Sequence, residues 1–430
     1  MKKSLSPYLI IILSFLVLIV FGTILLLLPF ATNNGFSLKI DDALFLATSS
    51  VTITGMSTID NLNSVLSPFG KIVVTLLVKV GGLSVITLSV FIMFIIGAKI
   101  GISNRILIKE NLNQLTLKGV VKLVKWIFFI SIIIELVGAL INFIVFINLY
   151  SFGKALAVSL IQSIISFNNA GFDLMGVNNL LINNSYQLFT LNTLALIILG
   201  GIGFIVLADL FKIKSYKNLS IHTKIVLKVN LFLWIFGFLM FKIGSNLTIF
   251  QALFLSVNAR SAGFSVNLGM LPNQGILILM FLMLIGASPT STGSGIKTTT
   301  LFVLYKSVTS FAVGKETTTN KRLISREVKY KAFILLITII IIIFVASTIL
   351  LMLENIDLQT SLHEVVASVS NAGLSSGYSY YYSFGSKVLV MLLMLIGRVG
   401  VLTIIAVFNP NWYKPVKNNI TYIEEKIIIG

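Results

Sequence analysis

Four stretches of this sequence end on glycine in the same way: "SVTITGM" (50–56), "SFNNAGF" (166–172), "NARSAGF" (258–264) and "SVSNAGL" (368–374). Five residues before Gly55, Gly171, Gly263 and Gly373 stand Ser50, Ser166, Asn258 and Ser368, and Met56, Phe172, Phe264 or Leu374 follows directly. Glycine accepts φ > 0 without a steric penalty, so it can turn carbonyl oxygens toward an axis. Four such stretches around one axis would replace the hydration shell of an ion with rings of carbonyl oxygens. The segments ahead of them ("DALFLATSSV", "ALAVSLIQSIISF", "FQALFLSV", "LHEVVASVS") read as short helices ending just before the glycine. Their C-terminal ends carry partial negative charge and favour a cation at the centre. No ring of four carboxylates accompanies them, so neither divalent-cation nor proton chemistry is indicated.

Irregular backbone at membrane depth survives only where it lines water or is buried in protein, and the composition requires a membrane. The chain is 57% hydrophobic and 11% charged over 430 residues, too apolar to coat a soluble globule, with apolar runs of about twenty residues recurring along it. The first run, Tyr8 to about Phe30, lacks a small-x-small cleavage site and is read as a retained span. There is no cysteine, which excludes disulfides and thiolate chemistry. The net charge of +18 is a matter of topology rather than of nucleic acid. Twenty-four of the 32 Lys and Arg fall at Lys2 and Lys3, in 99–125, 212–228 and 297–331, and from Lys414 onward. These segments should face the cytoplasm, where they meet anionic lipid. Asp41, Asp42, Asp60, Asp173, Glu354, Asp357 and Glu364 gather in the connections between, which should face outside.

Between successive basic segments lie two apolar runs with a shorter, half-polar segment. The expected spans are 8–30 and 71–97, 126–150 and 187–210, 229–245 and 274–300, and 332–353 and 386–408. The expected fold is an all-α polytopic membrane protein of four tandem helix–pore helix–helix repeats, eight transmembrane helices around a pseudo-four-fold central pore. The units are 1–98, 99–211 with a basic lead-in, 212–308 with an intramembrane loop at 286–295, and 309–409. A cytoplasmic tail, 410–430, follows. Both termini should be cytoplasmic and the protein multi-pass in the cell membrane.

A second landmark, "GGLSVIT" at 81, "GGIGFIV" at 200, "GASPTST" at 286 and "GRVGVLT" at 397, begins 26, 29, 23 and 24 residues after the respective glycine. Close helix packing accounts for these glycines. In the third unit the landmark opens "GASPTSTGSGIKTTT" (286–300), where the other inner helices are expected to continue as apolar helix. Gly286, Pro289, Gly293 and Gly295 disfavour helix, and Ser288, Thr290, Ser291, Thr292 and Ser294 can bond a loop that lacks helical partners. The segment is either a loop across the aqueous path or an ordinary kink.

These repeats, with "SPTSTGSGIKTTT" and "IGRVGVLT", resemble the Trk/Ktr/HKT superfamily of potassium transporters over essentially the whole chain, nearest to the membrane subunit of Ktr-type systems. The resemblance implies K+ influx, often promoted by Na+, through one pore in each subunit of a homodimer. It also implies a cytoplasmic ring of RCK-type subunits, on which any nucleotide would bind, and no covalent cofactor. It places the filter at Thr52, Ile53, Thr54 and Gly55; Asn168, Asn169, Ala170 and Gly171; Arg260, Ser261, Ala262 and Gly263; and Ser370, Asn371, Ala372 and Gly373, with K+ on backbone carbonyls. Glycine in all four units resembles the K+-selective members. The resemblance turns the Arg260 side chain away from the pore and makes Arg398 the tether of the 286–295 loop; a buried partner for Arg260, such as Glu364 or Asp60, is expected from its charge.

Ionisable residues inside spans are functional candidates. Lys79 is open between snorkelling, a dimer contact and a pore role, and Glu135 between a packing residue and a counter-ion to Lys79. Asp209 should pair with a neighbouring lysine. His222 and His363 read as solvated residues, and "YSYYYSF" (378–384) as an interfacial belt. No nucleotide-binding or nucleophile motif occurs. A carrier with broken helices would predict inverted or two-fold repeats, whereas these are four in the same orientation; for a membrane-embedded enzyme the sequence lacks a convergent set of acids, bases or ligands.

Overall fold

The computed structural model describes residues 6–96, 100–111, 119–182, 184–213, 215–264 and 271–408. The tail expected at 410–430, Lys2 and Lys3 lie outside the described residues. Pro7–Leu26, Val120–Phe146, Ile221–Gly244 and Arg326–Leu353 are each long and apolar enough to cross a membrane. Apolar side chains cover these outer helices on every side, with Val17, Phe21, Leu140 and Phe344 exposed. An aqueous surface would not tolerate that coverage, and a lipid one requires it. The helices begin earlier than their apolar cores, at residues 120, 221 and 326 rather than 126, 229 and 332. Basic residues such as Lys122, Lys224 and Lys329 extend them beyond the hydrocarbon, and in the third unit Ser220 caps the start by accepting from the Thr223 amide.

Each outer helix leads to a short helix, Ile40–Val51, Phe152–Phe167, Ile249–Asn258 or Leu358–Val369. Two of these start on strong caps. Thr248 and Gln251 form a capping box, and Asp357 accepts from the Thr360 amide at 3.1 Å. Their last turns are fully buried. Inner helices Pro68–Leu83, Gln187–Gly201, Asn273–Leu284 and Phe384–Val399 complete the units.

The inner helices of the first, second and fourth units do not continue straight, as the apolar pattern suggested. They break at Ser84, Gly203 and Gly400 and resume as Val85–Ile95, Phe204–Lys212 and Val401–Phe408. The second and fourth turn by 99° and 91°. The three break residues share one backbone conformation, φ 72 and ψ 136, φ 100 and ψ 135, and φ 90 and ψ 134, which suits glycine and strains Ser84. The third inner helix stops at Leu284, and helix returns only at Thr298–Ala312. Of the eight expected spans, four are unbroken, three are bent pairs, and Asn273–Leu284, at 12 residues, is too short to cross alone. A two-residue hairpin, Thr318–Thr319 paired antiparallel with Arg322–Leu323, departs from the all-α expectation.

Candidate ion filter and gate

The short helices deliver four backbone stretches to one place. After the helix end, an amide folds back onto its last turn: Thr54 to the Ser49 carbonyl (2.8 Å), Ala170 to Ile165 (3.1 Å), Ala262 to Asn258 (3.0 Å) and Ala372 to Ala367 (3.0 Å). Ile53, Asn169 and Asn371 then take left-handed φ of 56°, 57° and 51°, and Gly55, Gly171, Gly263 and Gly373 follow at 90°, 63°, 69° and 71°. A Cβ on Gly55 would strike the Ala170 carbonyl, one on Gly171 that of Ala262, one on Gly263 that of Ala372, and one on Gly373 that of Thr54. Each glycine therefore backs onto the next unit, and the fourth closes on the first. Only glycine fits at such an approach.

Side chains brace this ring. Ser50, Ser166 and Ser368 donate to carbonyls of their own helices, whereas Asn258 clamps both the amide and the carbonyl of Phe264. Thr52 and Thr54 share a hydroxyl contact of 2.8 Å, and Asn371 Nδ2 donates to Thr54 Oγ1 at 2.8 Å, joining the fourth unit to the first. Ser370 donates to Val366. The same first–fourth boundary carries Lys387, whose Nζ lies 2.6 Å from both Asp41 and Asp42 at the start of the first short helix.

The second landmark does allow close packing, as expected. A Cβ on Gly81, Gly200 or Gly397 would meet the carbonyl of Val51, Phe167 or Val369 at the end of a short helix. In the third unit the corresponding Gly286 faces the Ser294 carbonyl instead, because the chain there folds on itself. Residues 285–297 form a loop docked against the break in the second inner helix. Ser288 and Thr292 amides donate to the Gly201 and Gly200 carbonyls at 3.0 and 3.2 Å, and the Phe204 amide donates to Thr290 at 2.9 Å. The carbonyls orphaned by one broken helix are thus satisfied by the other. Asn169 Nδ2 donates to Thr292 Oγ1 at 2.9 Å, linking loop and filter directly.

Arg398 reaches the loop as the resemblance implied: one terminal nitrogen donates to the Thr292 carbonyl at 2.5 Å, the other to Gly81 and, at 2.9 Å, Gly82. Lys297, assigned with the cytoplasmic cations, instead curls back to the Gly293 carbonyl at 2.7 Å. Its position directly after "GSGI" was the signal for that role. A cavity of about 210 Å³ beside the loop is lined by Thr290, Ser291, Lys297 and Arg398.

The pattern of the cation transport protein family TrkH matches residues 2–249 and 239–412. The chain belongs to this family. It is 35% identical to the Ktr system potassium uptake protein B of Bacillus subtilis (strain 168), over 99% of this chain and 97% of that one. It is 32% identical to the potassium/sodium uptake protein NtpJ of Enterococcus hirae, over 100% and 98% of the two chains. The crystal structure of the potassium transporter TrkH from Vibrio parahaemolyticus matches in fold, with a TM-score of 0.74 at 19% identity, over 96% of this chain and 86% of that one.

Several charges in this TrkH-family chain have partners other than those expected. Among the described residues Arg260 meets no carboxylate: it donates to Asn230 Oδ1 (2.5 Å) and to the carbonyls of Ile285 (3.3 Å) and Gly286 (2.7 Å), at the start of the loop. The break leaves those carbonyls without helical donors, and a guanidinium supplies several donors at once. Asn230 also donates to Ser288 Oγ at 2.9 Å, and nothing in the outer helix pattern pointed to it. Glu364 is held by Tyr382 and by hydroxyl and amide donors of Ser375 and Ser376, immediately past the fourth filter glycine. Asp209 accepts from the hydroxyls of Ser220 and Thr223, both at 2.6 Å, and among the described residues forms no ion pair with a lysine. His363 is buried in the fourth short helix, not solvated as expected, and His222 is half-buried. Glu135 is the counter-ion of Lys79, at 2.6 Å.

Proposed function

We propose that the chain is the K+-translocating subunit of a Ktr-type uptake system, passing K+ through the carbonyls of Thr52–Thr54, Asn168–Ala170, Arg260–Ala262 and Ser370–Ala372. The observation that carries this reading is the closed order of the four glycines, each backed by the next unit's carbonyl. Four outer helices and four interrupted inner helices would make eight membrane segments around that axis, divided into units at 98/99, 211/212, 308/309 and 409/410. Glycine at all four positions supports selection of K+ over Na+, and the potassium uptake relative supports K+ as the substrate. Na+ is proposed as an activator, in keeping with the potassium/sodium uptake relative. The activity is transport rather than catalysis.

The loop at 286–295 is the proposed gate. It lies next to the filter through the Asn169–Thr292 bond, lacks helical hydrogen bonds and is held by Arg398. A homodimer with one pore per subunit, regulated by a cytoplasmic RCK-type ring that carries the nucleotide, completes the proposal. The protein would be multi-pass in the cell membrane with both termini cytoplasmic.

The test is K+ uptake by cells deficient in K+ transport, with the regulatory subunit present, with and without Na+, comparing wild type with Gly55→Ser. Wild type should restore uptake. Gly55→Ser, whose Cβ meets Ala170 at φ 90°, should lower the preference for K+ over Na+ by about tenfold at equal membrane abundance, a change of roughly 1.4 kcal/mol. Failure of the wild type removes the reading, and an unchanged preference in the variant removes the filter assignment.

A further inference from the structure

The second unit's filter stretch is attached to a pair of charges. Glu135 Oε1, on the second outer helix, accepts from Lys79 Nζ at 2.6 Å and from Asn168 Nδ2 at 3.0 Å. Lys79 comes from the first inner helix, donates also to Ser131 at 3.2 Å, and has its ammonium 5.9 Å from the centre of the Phe167 ring, at the end of the second short helix. Ser163 of that helix donates to the Glu135 carbonyl at 2.6 Å. The side chains of Lys79 and Glu135 are only 17% and 7% exposed. Asn168 is further wedged by the first inner helix: a Cβ on Gly82 would collide with Asn168 Oδ1.

The equivalent residues of the other units lack such an arrangement. Asn168 donates to its own helix, at the Ile164 carbonyl (2.8 Å), as Thr52 and Ser370 do at Thr48 and Val366, but it alone adds a carboxylate; Arg260 bonds carbonyls and an amide. A buried ion pair is commonly replaceable by apolar residues without loss of stability, so packing alone gives little reason for this one. A carboxylate fixed on one side by an ammonium offers Asn168 a strong, directed acceptor. Asn168 opens the stretch whose carbonyls run to Ala170.

We infer that Lys79 and Glu135 are positioning residues for ion preference: Lys79 orients and neutralises the Glu135 carboxylate, which holds Asn168 and with it the second filter stretch. This rests on the filter proposed above. No contact with the ion is involved, so the effect falls on discrimination between ions.

The test uses the full-length chain in K+-transport-deficient cells with its regulatory subunit, measuring competition between K+ and Na+ uptake at equal membrane abundance. Glu135→Leu removes one of the two acceptors of the Asn168 amide, leaving only the Ile164 carbonyl at 2.8 Å, and should lower K+ preference by roughly tenfold, the scale of one buried donor left unpaired. The double variant Lys79→Met/Glu135→Gln removes both charges but keeps an amide oxygen for Asn168, and should return the preference to within about twofold of wild type. Gly171→Ser serves as the control on the filter itself. If Gly171→Ser shifts the preference while Glu135→Leu does not, the pair has no positioning role. If the double variant falls as far as Glu135→Leu, the hold on Asn168 is not the cause. If Gly171→Ser also changes nothing, the filter reading fails. Should Glu135→Leu not reach the membrane, Lys79→Met alone is measured at equal membrane abundance; it leaves a buried carboxylate without its counter-charge and should lower the preference about threefold, and an unchanged value overturns the inference.

Discussion

The second and third inner helices break at the same level and are bonded to each other, yet they spend very different lengths of chain on the break. The second turns through 99° at Gly203 and is helical again at Phe204. The third leaves helix at Leu284 and regains it only at Thr298. A break is therefore common to all four units, and its presence says nothing about control. What sets the third apart is slack backbone whose polar groups are borrowed from neighbours: the Gly200 and Gly201 carbonyls, Asn169, Asn230, Arg260 and Arg398. Were the loop to move as proposed, those partners could be exchanged. A one-residue turn offers no such freedom.

The largest effect should come from deleting 288–294. Removing the slack makes the third unit resemble the second, and K+ influx should rise by about a hundredfold if the loop is a barrier of roughly 2.7 kcal/mol. Unchanged influx from a folded, membrane-inserted protein would reduce the loop to an ordinary kink. Arg398→Gln should raise influx less, about tenfold, because it loses the charged donors to Thr292 and Gly81 while the contacts with the second unit remain. An Arg398→Gln influx equal to that of the deletion would mean that the arginine alone closes the path. The smallest change concerns a tight break. Ser84 has the backbone conformation that glycine fills at Gly203 and Gly400, so Ser84→Gly should stabilise the protein by about 1 kcal/mol, read as a higher Tm. A change in influx as large as the deletion's would erase the distinction between the two kinds of break.

The shared geometry of the four glycines was legible because the demand on them is local: a left-handed φ and a carbonyl with no room for a Cβ leave the same short signature four times. The same holds for the 286–295 loop, where proline and glycine contradict an apolar span. The three tight breaks were missed because hydropathy measures what a residue is surrounded by, not the direction in which the chain runs. "VGGLSVI" is as apolar on one side of Ser84 as on the other. The shared fourth position of the landmark, Ser84, Gly203 and Gly400, was the available clue. The partner of Arg260 was misjudged for a different reason. A search for opposite charge overlooks backbone carbonyls, and the carbonyls of Ile285 and Gly286 lack donors only because the helix breaks there. Asp209 was misjudged because a search for opposite charge overlooks hydroxyl donors, here Ser220 and Thr223 at the start of the next helix, and His363 because burial depends on packing between segments.

The closure of the glycine ring also has a consequence for how the protein is made. Thr54 meets its neighbour Asn371, and Asp41 and Asp42 meet Lys387, across more than three hundred residues of chain. During synthesis the first glycine stretch leaves the ribosome long before the last. Until the fourth unit inserts, the ring is an open arc with no enclosed path. If the ring is the proposed conduit, a nascent or truncated chain has no such route, and the contact between the first and fourth units is the one that completes it.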